Sequence, residues 1–254
     1  MRFVLALIYR NFVAARSSAR LTLIRVVFQP TIYLFVFGHV VGRMISGAGQ
    51  QGAYAEIMAP GIIAMTTVSA PFVTIGGQVL SGYFSRTLEE WLLAPVTLRT
   101  VLLAMVTAGV CSGVVNSLVV ATLVWLILGL TPANPAYVLL AVMAGALLFS
   151  LVTLVVLLLP QRPDRGQEVF SFLMMPMTFF GCTFYSYSML EPPFSYLALL
   201  LPTTYISEGL RAAYVPDQPH MDADAILAGL FLAAAVLIPV TDRVFRRRLG
   251  HFSW

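Results

Sequence analysis

The sequence predicts an all-α polytopic membrane protein with six transmembrane helices. Hydrophobic residues make up 59% of the 254 residues and charged residues only 10%, whereas soluble proteins carry about 25% charged residues. The charges lie in short gaps between apolar runs, and the longest run has no charged residue between Arg99 and Arg162. Because a helix needs ~20 apolar residues to cross ~30 Å of hydrocarbon, these runs are predicted to span a membrane.

The amino terminus, residues 1–20, is predicted to form an amphipathic helix on the inner surface of the membrane. Its two sides, placed at 100° per residue, are an apolar set and a polar set: Val4, Leu7, Ile8, Phe12 and Ala15 against Arg2, Tyr9, Arg10, Arg16 and Ser17. Such a helix buries its apolar side in the headgroup layer while its arginines reach anionic lipid. The alternative is a solvated helix, which would need a partner to cover its apolar side.

The transmembrane domain is predicted to cover residues 21–254. Its six spans are predicted at 22–42, 57–82, 101–129, 136–159, 168–186 and 223–242. The long uncharged block is divided into two spans because a cluster of turn-forming residues, Thr131-Pro132-Ala133-Asn134-Pro135, lies at its middle.

The arginines predict which side of the membrane each end faces. The chain has no lysine, so all fifteen of its basic residues are Arg. Six spans place both termini on one side, and that side carries every arginine except Arg43 and Arg211. Because an excess of Lys and Arg marks the cytoplasmic side, both termini are predicted to be cytoplasmic. This distribution also explains the basic pI without a nucleic-acid partner.

The segment between the fifth and sixth spans, residues 187–221, is predicted to form a re-entrant hairpin in the outer leaflet. Its apolar core, residues 194–201, is too short to cross the membrane and is bracketed by Pro192, Pro193 and Pro202. Non-helical backbone at membrane depth is tolerated only where protein buries it or where it lines a cavity. The alternative is an ordinary outer loop that lies flat on the bilayer.

The connection between the second and third spans is predicted to carry a short cytoplasmic helix over residues 88–94. Thr87 and Glu90 have capping-box spacing, and Pro95 ends the helix. One side of this helix is apolar and carboxylates flank it, which suits docking into a groove on another protein. The residues expected to make that contact are Arg86, Leu88, Glu89, Glu90, Trp91 and Leu92. A helix on the lipid surface is less favourable, because its carboxylates would lie beside anionic headgroups.

The composition excludes several activities for this chain. Without lysine it cannot form the phosphate-binding loop of a P-loop ATPase, a Schiff base or a Ser-Lys dyad. Cys111 and Cys182 lie in separate apolar runs, which predicts neither a disulfide framework nor a metal site. His39, His220 and His251 are scattered without acidic residues at metal-ligand spacing, so they are predicted to be structural or surface residues.

Four segments in order along the chain resemble the ABC-2 type permeases, the membrane subunits of a class of ATP-driven exporters. They are 54–63 with Tyr54, Pro60 and Gly61; 86–96 with Arg86, Glu90 and Pro95; 176–185 with Pro176, Gly181 and Tyr185; and 201–211 with Pro202, Tyr205 and Arg211. Where the family usually has Asn before the last of these prolines, this chain has Leu201. The resemblance covers nearly the whole chain and is greatest to short export permeases for O-antigen, lipo-oligosaccharide and drugs.

The resemblance implies a type V exporter-like complex in a bacterial inner membrane. Two copies of this chain would assemble with two ABC ATPase subunits on the cytoplasmic side. ATP and Mg would bind to those partners, so this chain itself would hold no cofactor and no catalytic residue. The helix at 88–94 would transmit ATPase movement to the first, second and fifth spans, with the amino-terminal helix as a second contact.

Aromatic residues of the fifth span are the candidates for the translocation pathway: Phe179, Phe180, Phe184, Tyr185 and Tyr187. If they line it, the cargo is an amphiphile such as a lipid-linked glycan, a lipid or a hydrophobic drug, because an inorganic ion would need charged or carbonyl rings. Packed or lipid-facing rings are the alternative. An ion-coupled secondary transporter is the main rival function, but it would need ionisable residues at mid-membrane, which the long uncharged runs lack. An importer permease and an intramembrane enzyme are further rivals.

Overall fold

The computed structural model describes residues 19–42, 44, 53–85, 97–160 and 162–249, and within these ranges the chain is helical with no β-strand. Eight α-helices are numbered in chain order: α1 Ala19–Tyr33, α2 Ala53–Phe84, α3 Leu98–Leu128, α4 Pro135–Leu158, α5 Pro163–Phe180, α6 Phe194–Leu200, α7 Pro202–Tyr214 and α8 Ala223–Leu249. A π-helical segment, Leu34–Val41, continues α1, and a 3-10 turn, Tyr187–Met189, precedes α6. The predicted amphipathic helix, apart from its last two residues, and the predicted helix at 88–94 lie outside the described residues.

The predicted membrane fold is confirmed at the level of its long apolar helices. Among the described residues, α2, α3, α4 and α8 are long and apolar enough to cross a bilayer. The predicted spans 22–42 and 168–186 also coincide with helices, namely α1 with its π-helical extension and α5. These two are shorter or more polar, since α5 begins with Pro163, Asp164 and Arg165 and ends at Phe180. The count of six spans therefore stays a prediction.

The predicted turn between the third and fourth helices is confirmed. Helix α3 ends at Leu128, and Gly129 follows it with a left-handed φ of 70°, which glycine adopts without steric cost. Asn134 caps α4, because its side-chain oxygen accepts a hydrogen bond of 3.1 Å from the Tyr137 backbone N–H. The uncharged block therefore folds into two antiparallel helices.

The core lies where α2, α3 and α4 approach one another closely. A Cβ on Gly109 would stand 2.7 Å from Ile75, and one on Gly113 would stand 2.7 Å from Ala146. Small residues at such positions let membrane helices pack tightly, since lipid offers no hydrophobic drive for association. At the same level Thr67 and Ser117 share a buried hydrogen bond of 2.8 Å between their hydroxyl oxygens.

Charged side chains sort to the two ends of this bundle. At one end, the basic end, Arg99 on α3 lies 4.0 Å from Asp242 on α8, and Arg246 binds the same carboxylate at 2.9 Å. Its described arginines are Arg99, Arg162, Arg165, Arg243, Arg246 and Arg247. The opposite end, the acidic end, has the carboxylates Glu56, Glu191, Asp217, Asp222 and Asp224. This segregation matches the arginine distribution from which the orientation was predicted.

At the basic end, Arg162 and Asp164 form an exposed ion pair that opens α5. Arg162 Nη2 donates to Asp164 Oδ2 at 2.8 Å. Desolvation raises the pKa of the Asp164 carboxyl, but the hydrogen bonds, foremost the one from Arg162, and the attraction of the Arg162 charge together outweigh it and hold that pKa below its ordinary value of 3.8.

The predicted hairpin region contains two short helices, α6 and α7, at the acidic end. They meet at Leu201, whose extended backbone turns the chain and whose side chain offers no cap. Thr204 compensates in part, since its hydroxyl donates to the Ala198 carbonyl at 2.6 Å. Helix α7 packs against α2 and α4, so it belongs to the body of the protein. Its depth in the membrane stays a prediction.

Candidate functional site

A buried ion pair on α7 is the feature that organises the acidic end. Glu208 and Arg211 are three residues apart on the helix, and both side chains are 0% exposed. The sequence predicted that Arg211 lies on the outer side of the membrane, but it did not predict that this side chain is buried inside the protein. The guanidinium Nη1 donates to Glu208 Oε1, and Tyr187 donates its backbone N–H to the same oxygen at 2.8 Å.

The remaining guanidinium donors bind backbone carbonyls from two other parts of the chain. Nε and Nη2 of Arg211 donate to the Ile57 carbonyl in the first turns of α2, at 3.2 and 3.0 Å. Nη2 also donates to the carbonyls of Cys182 and Tyr185, at 2.9 and 3.1 Å. One side chain therefore ties α7 to α2 and to the loop that follows α5.

That loop, residues 181–186, is here called the post-α5 loop, and it corrects the predicted span at 168–186. The helix ends at Phe180, and Cys182 has a left-handed φ of 55°. Irregular backbone is stable inside a protein only when its carbonyls find donors, and Arg211 supplies them. The loop also needs Gly61 on α2, because a Cβ there would lie 2.6 Å from the carbonyl carbon of Thr183.

The predicted pathway aromatics separate into two groups. Phe184 packs at the centre of an aromatic cluster, with ring centroids 4.7 Å from Phe37, 6.1 Å from Tyr33 and 6.0 Å from Phe179. This aromatic cluster (Tyr33, Phe37, Phe179 and Phe184) joins the post-α5 loop to α1 and its π-helical extension. Sequence reasoning missed Tyr33 and Phe37, which no motif distinguishes from other apolar-run aromatics.

The other three predicted aromatics lie outside that cluster. Phe180 stacks on Phe194 of α6, with centroids 6.2 Å apart. Tyr185 turns back to α5, where its hydroxyl donates to the Phe179 carbonyl at 2.7 Å. Tyr187 contributes its backbone N–H to the Glu208 carboxylate. The structure thus unites two of the five predicted residues, Phe179 and Phe184, in one cluster.

A cleft of about 490 Å³ opens between α1, α2 and α3, and Tyr33 belongs both to its wall and to the aromatic cluster. Among the residues that the structure describes, none of the side chains that line this cleft is an Asp, Glu, Lys or Arg. The wall is mostly apolar and carries several uncharged polar groups. The polar residues are Gln29, Tyr33, Thr66, Ser69, Thr74 and Asn116, and the apolar ones are Val26, Phe28, Pro30, Ile62, Met65, Ala70 and Val73. Such a lining suits an amphiphile with hydroxyl or amide groups.

A second cavity, also about 490 Å³, lies between α4, α7 and α8. Its wall is largely apolar, with Asp222 as its carboxylate and Tyr205 as its phenol. It does not include α1 or the aromatic cluster. The cleft between α1, α2 and α3, here called the α1–α2 cleft, is therefore the better candidate for a transport route. In the described part of the chain, no three His, Cys, Asp or Glu side chains lie close enough together to hold a metal ion.

The predicted coupling residues Arg86, Leu88, Glu89, Glu90, Trp91 and Leu92 lie outside the described residues. The flanking helices locate their attachment points: α2 ends at Phe84 and α3 begins at Leu98. Both points lie at the basic end, because Arg99 on the first turn of α3 neighbours Asp242.

The sequence matches a known family over most of its length. The profile of the ABC-2 type transporter family matches residues 2–215. The chain is similar to the inner membrane transport permease YadH of Escherichia coli K12, with 27% identity over 219 residues that cover 85% of each chain. It is also similar to nodulation protein J of Neorhizobium galegae, with 26% identity over 248 residues that cover 94% of this chain and 91% of that protein.

Proposed function

Because this chain belongs to the ABC-2 type transporter family and is a transmembrane permease subunit of an ABC transporter, we propose that it exports an amphiphilic substrate across a bacterial inner membrane. The cargo class is a lipid-linked glycan, a lipid or a hydrophobic drug. The observation that carries this proposal is the uncharged α1–α2 cleft, which mixes apolar walls with amide and hydroxyl groups and runs into the aromatic cluster. Its relative YadH is named an inner membrane transport permease, which supports the same location.

The transporter would contain two copies of this chain and two ABC ATPase subunits. Both termini and the basic end would face the cytoplasm, as the arginine excess there favours. The segment at 86–92 joins α2 to α3 at that end, so a partner that binds it would act directly on α2, one wall of the cleft. ATP bound to the partners would drive the cycle only if they bind one conformation of the membrane helices more tightly than the other.

The test is reconstitution of the chain with its co-purifying ATPase in proteoliposomes. Transport of a fluorescent phospholipid, a lipid-linked glycan and a hydrophobic dye is measured with and without ATP. ATP-dependent movement of at least one of them is the expected result. Transport that needs no ATPase and follows a proton gradient would instead establish the secondary-transporter alternative.

Two variants separate the route from the coupling. Ser69→Trp should fill the α1–α2 cleft and abolish transport while the ATPase still assembles, because Ser69 lies on the cleft wall. Leu118→Trp is the matched control, because the Leu118 side chain on α3 is 45% exposed and does not line the cleft; this variant should transport normally. Charge reversal of Glu89 and Glu90 together with Trp91→Ala should abolish assembly and stimulated ATPase activity. Normal transport by Ser69→Trp would exclude the cleft as the route.

A further inference from the structure

We propose that Arg211 is a positioning residue of the transport route, which holds the post-α5 loop so that Phe184 stays in the aromatic cluster against α1. This inference rests on the proposed function, because it assigns a role to the route described above. It concerns a residue that is not among those that line the cleft.

The hydrogen bonds that Arg211 donates to the post-α5 loop are here called the tether. The Cys182 and Tyr185 carbonyls that accept from Arg211 flank Phe184 in the chain. Fixing the backbone on both sides of a residue fixes the direction of its side chain. The Phe184 ring therefore points at α1 because the guanidinium holds the loop in this path.

The Arg211 side chain is also anchored outside the loop. The same guanidinium binds the Ile57 carbonyl on α2, and Glu208 holds the head group by a charge-assisted bond. Close contact between Gly61 and Thr183 adds a steric fit that leaves no room for the loop to approach further. These contacts join α2, α7 and the post-α5 loop into one unit, and Phe184 of that unit contacts α1.

Lysine could not replace Arg211 in the tether. A planar guanidinium presents five donors in a fixed fork, whereas an ammonium is a single point charge. Lys at position 211 could still neutralise Glu208 but could not bind Ile57 and both loop carbonyls at once. Arg211→Lys therefore removes the tether while it keeps the buried charge compensated.

The chain supplies its own reporter of the loop. Cys182 is fully buried in the loop, and the other cysteine, Cys111, is exposed on α3. In a Cys111→Ser background of the assembled complex in nanodiscs, labelling by N-ethylmaleimide then measures how often the loop opens. Cys182 should be protected with Arg211 present. Arg211→Lys should speed labelling at least about tenfold, which corresponds to 1.4 kcal/mol of opening free energy.

Control variants separate positioning from general loosening. Ile206→Val removes one buried methyl group from the same helix and keeps every Arg211 hydrogen bond, so Cys182 should stay protected. Phe184→Ala should lower transport, with Cys182 equally protected, because the tether remains while the ring is gone. If Arg211→Lys does not assemble, Glu208→Gln tests the proposal in its place. It weakens the anchor of the guanidinium and should also speed the labelling of Cys182.

Three results would overturn the proposal. They are a Cys182 that stays protected in the tether variant, equally fast labelling in Ile206→Val, and normal transport by Phe184→Ala. Labelling requires neither nucleotide nor cargo. Failure of the complex to transport any substrate would therefore refute the exporter function and leave the tether result readable.

Discussion

The close approach of Gly61 to the post-α5 loop gives a stability prediction with an internal control on the same helix. A Cβ at position 61 would stand 2.6 and 2.7 Å from the carbonyl carbon and Cα of Thr183, whereas ordinary contacts are 3.4–4 Å. The Thr183 carbonyl oxygen would lie closer still. Backbone atoms cannot rotate away as a side chain can, so the loop must retreat by more than about 1 Å to reach an ordinary contact distance. Overpacking of this kind costs about 1–3 kcal/mol.

Gly77 provides the matched comparison, because a Cβ added there meets nothing within 4 Å. Replacing an unobstructed helical glycine by alanine stabilises by roughly 0.5–1 kcal/mol. Gly61→Ala should therefore be less stable than Gly77→Ala by about 1.5–4 kcal/mol, with the wild type between them. The free energy of unfolding in mixed detergent micelles measures this order. A Gly61→Ala protein as stable as Gly77→Ala would show that the loop does not lie against α2 as described.

Three further predictions concern single contacts. Thr67→Val should destabilise by about 1–2 kcal/mol in the same unfolding assay, because it leaves the buried Ser117 hydroxyl without its partner of 2.8 Å. The double variant Glu208→Leu with Arg211→Met removes two buried charges, but it should be less stable than the wild type because the loop carbonyls lose their donors. Arg211→Met alone should be less stable still, since it also leaves the buried Glu208 carboxylate without its partner. The pKa of the Asp164 carboxyl is depressed in the folded protein, so the contribution of the Arg162–Asp164 pair to folding stability should be present above pH 3.8 and lost as the pH falls below that value. In a pH series of unfolding measurements, the stabilities of Asp164→Asn and the wild type should therefore converge below pH 3.8.

Sequence reasoning predicted the parts of this fold that depend on one-dimensional patterns. Uncharged runs predict the apolar helices, and the turn cluster at 131–135 predicts the break between α3 and α4, because both signals are local. The predicted end of the fifth span, at 186, lies six residues beyond the observed helix end, since residues 181–186 carry no charge and so continue the uncharged run. Gly181 directly follows the helix, a position where glycine is common. The path of the loop beyond it depends on a donor from α7, which the local sequence does not indicate.

The candidate site was predicted in the same uneven way. The aromatic content of 179–187 predicts a pathway in this region, which stays a prediction, and only contact with α1 distinguishes Phe184 from Phe180. No prediction was made from the sequence for the pairing of Glu208 with Arg211, although their i,i+3 spacing permits an ion pair on one helix. The burial of this pair was not predicted either, because it depends on the carbonyls that surround the pair in space.

The buried arginine and the irregular loop explain each other. An ion pair in a low-dielectric interior costs desolvation that its own attraction often does not recover, so by itself it would be weak evidence for stability. Loop carbonyls without donors at the same depth would cost about as much as lost hydrogen bonds. One guanidinium answers both needs, because the carbonyls of Ile57, Cys182 and Tyr185 solvate its charge while its N–H groups satisfy them. Neither half would be stable alone, and this mutual dependence is why the chain can keep the Glu208–Arg211 ion pair fully buried at the acidic end of an apolar bundle.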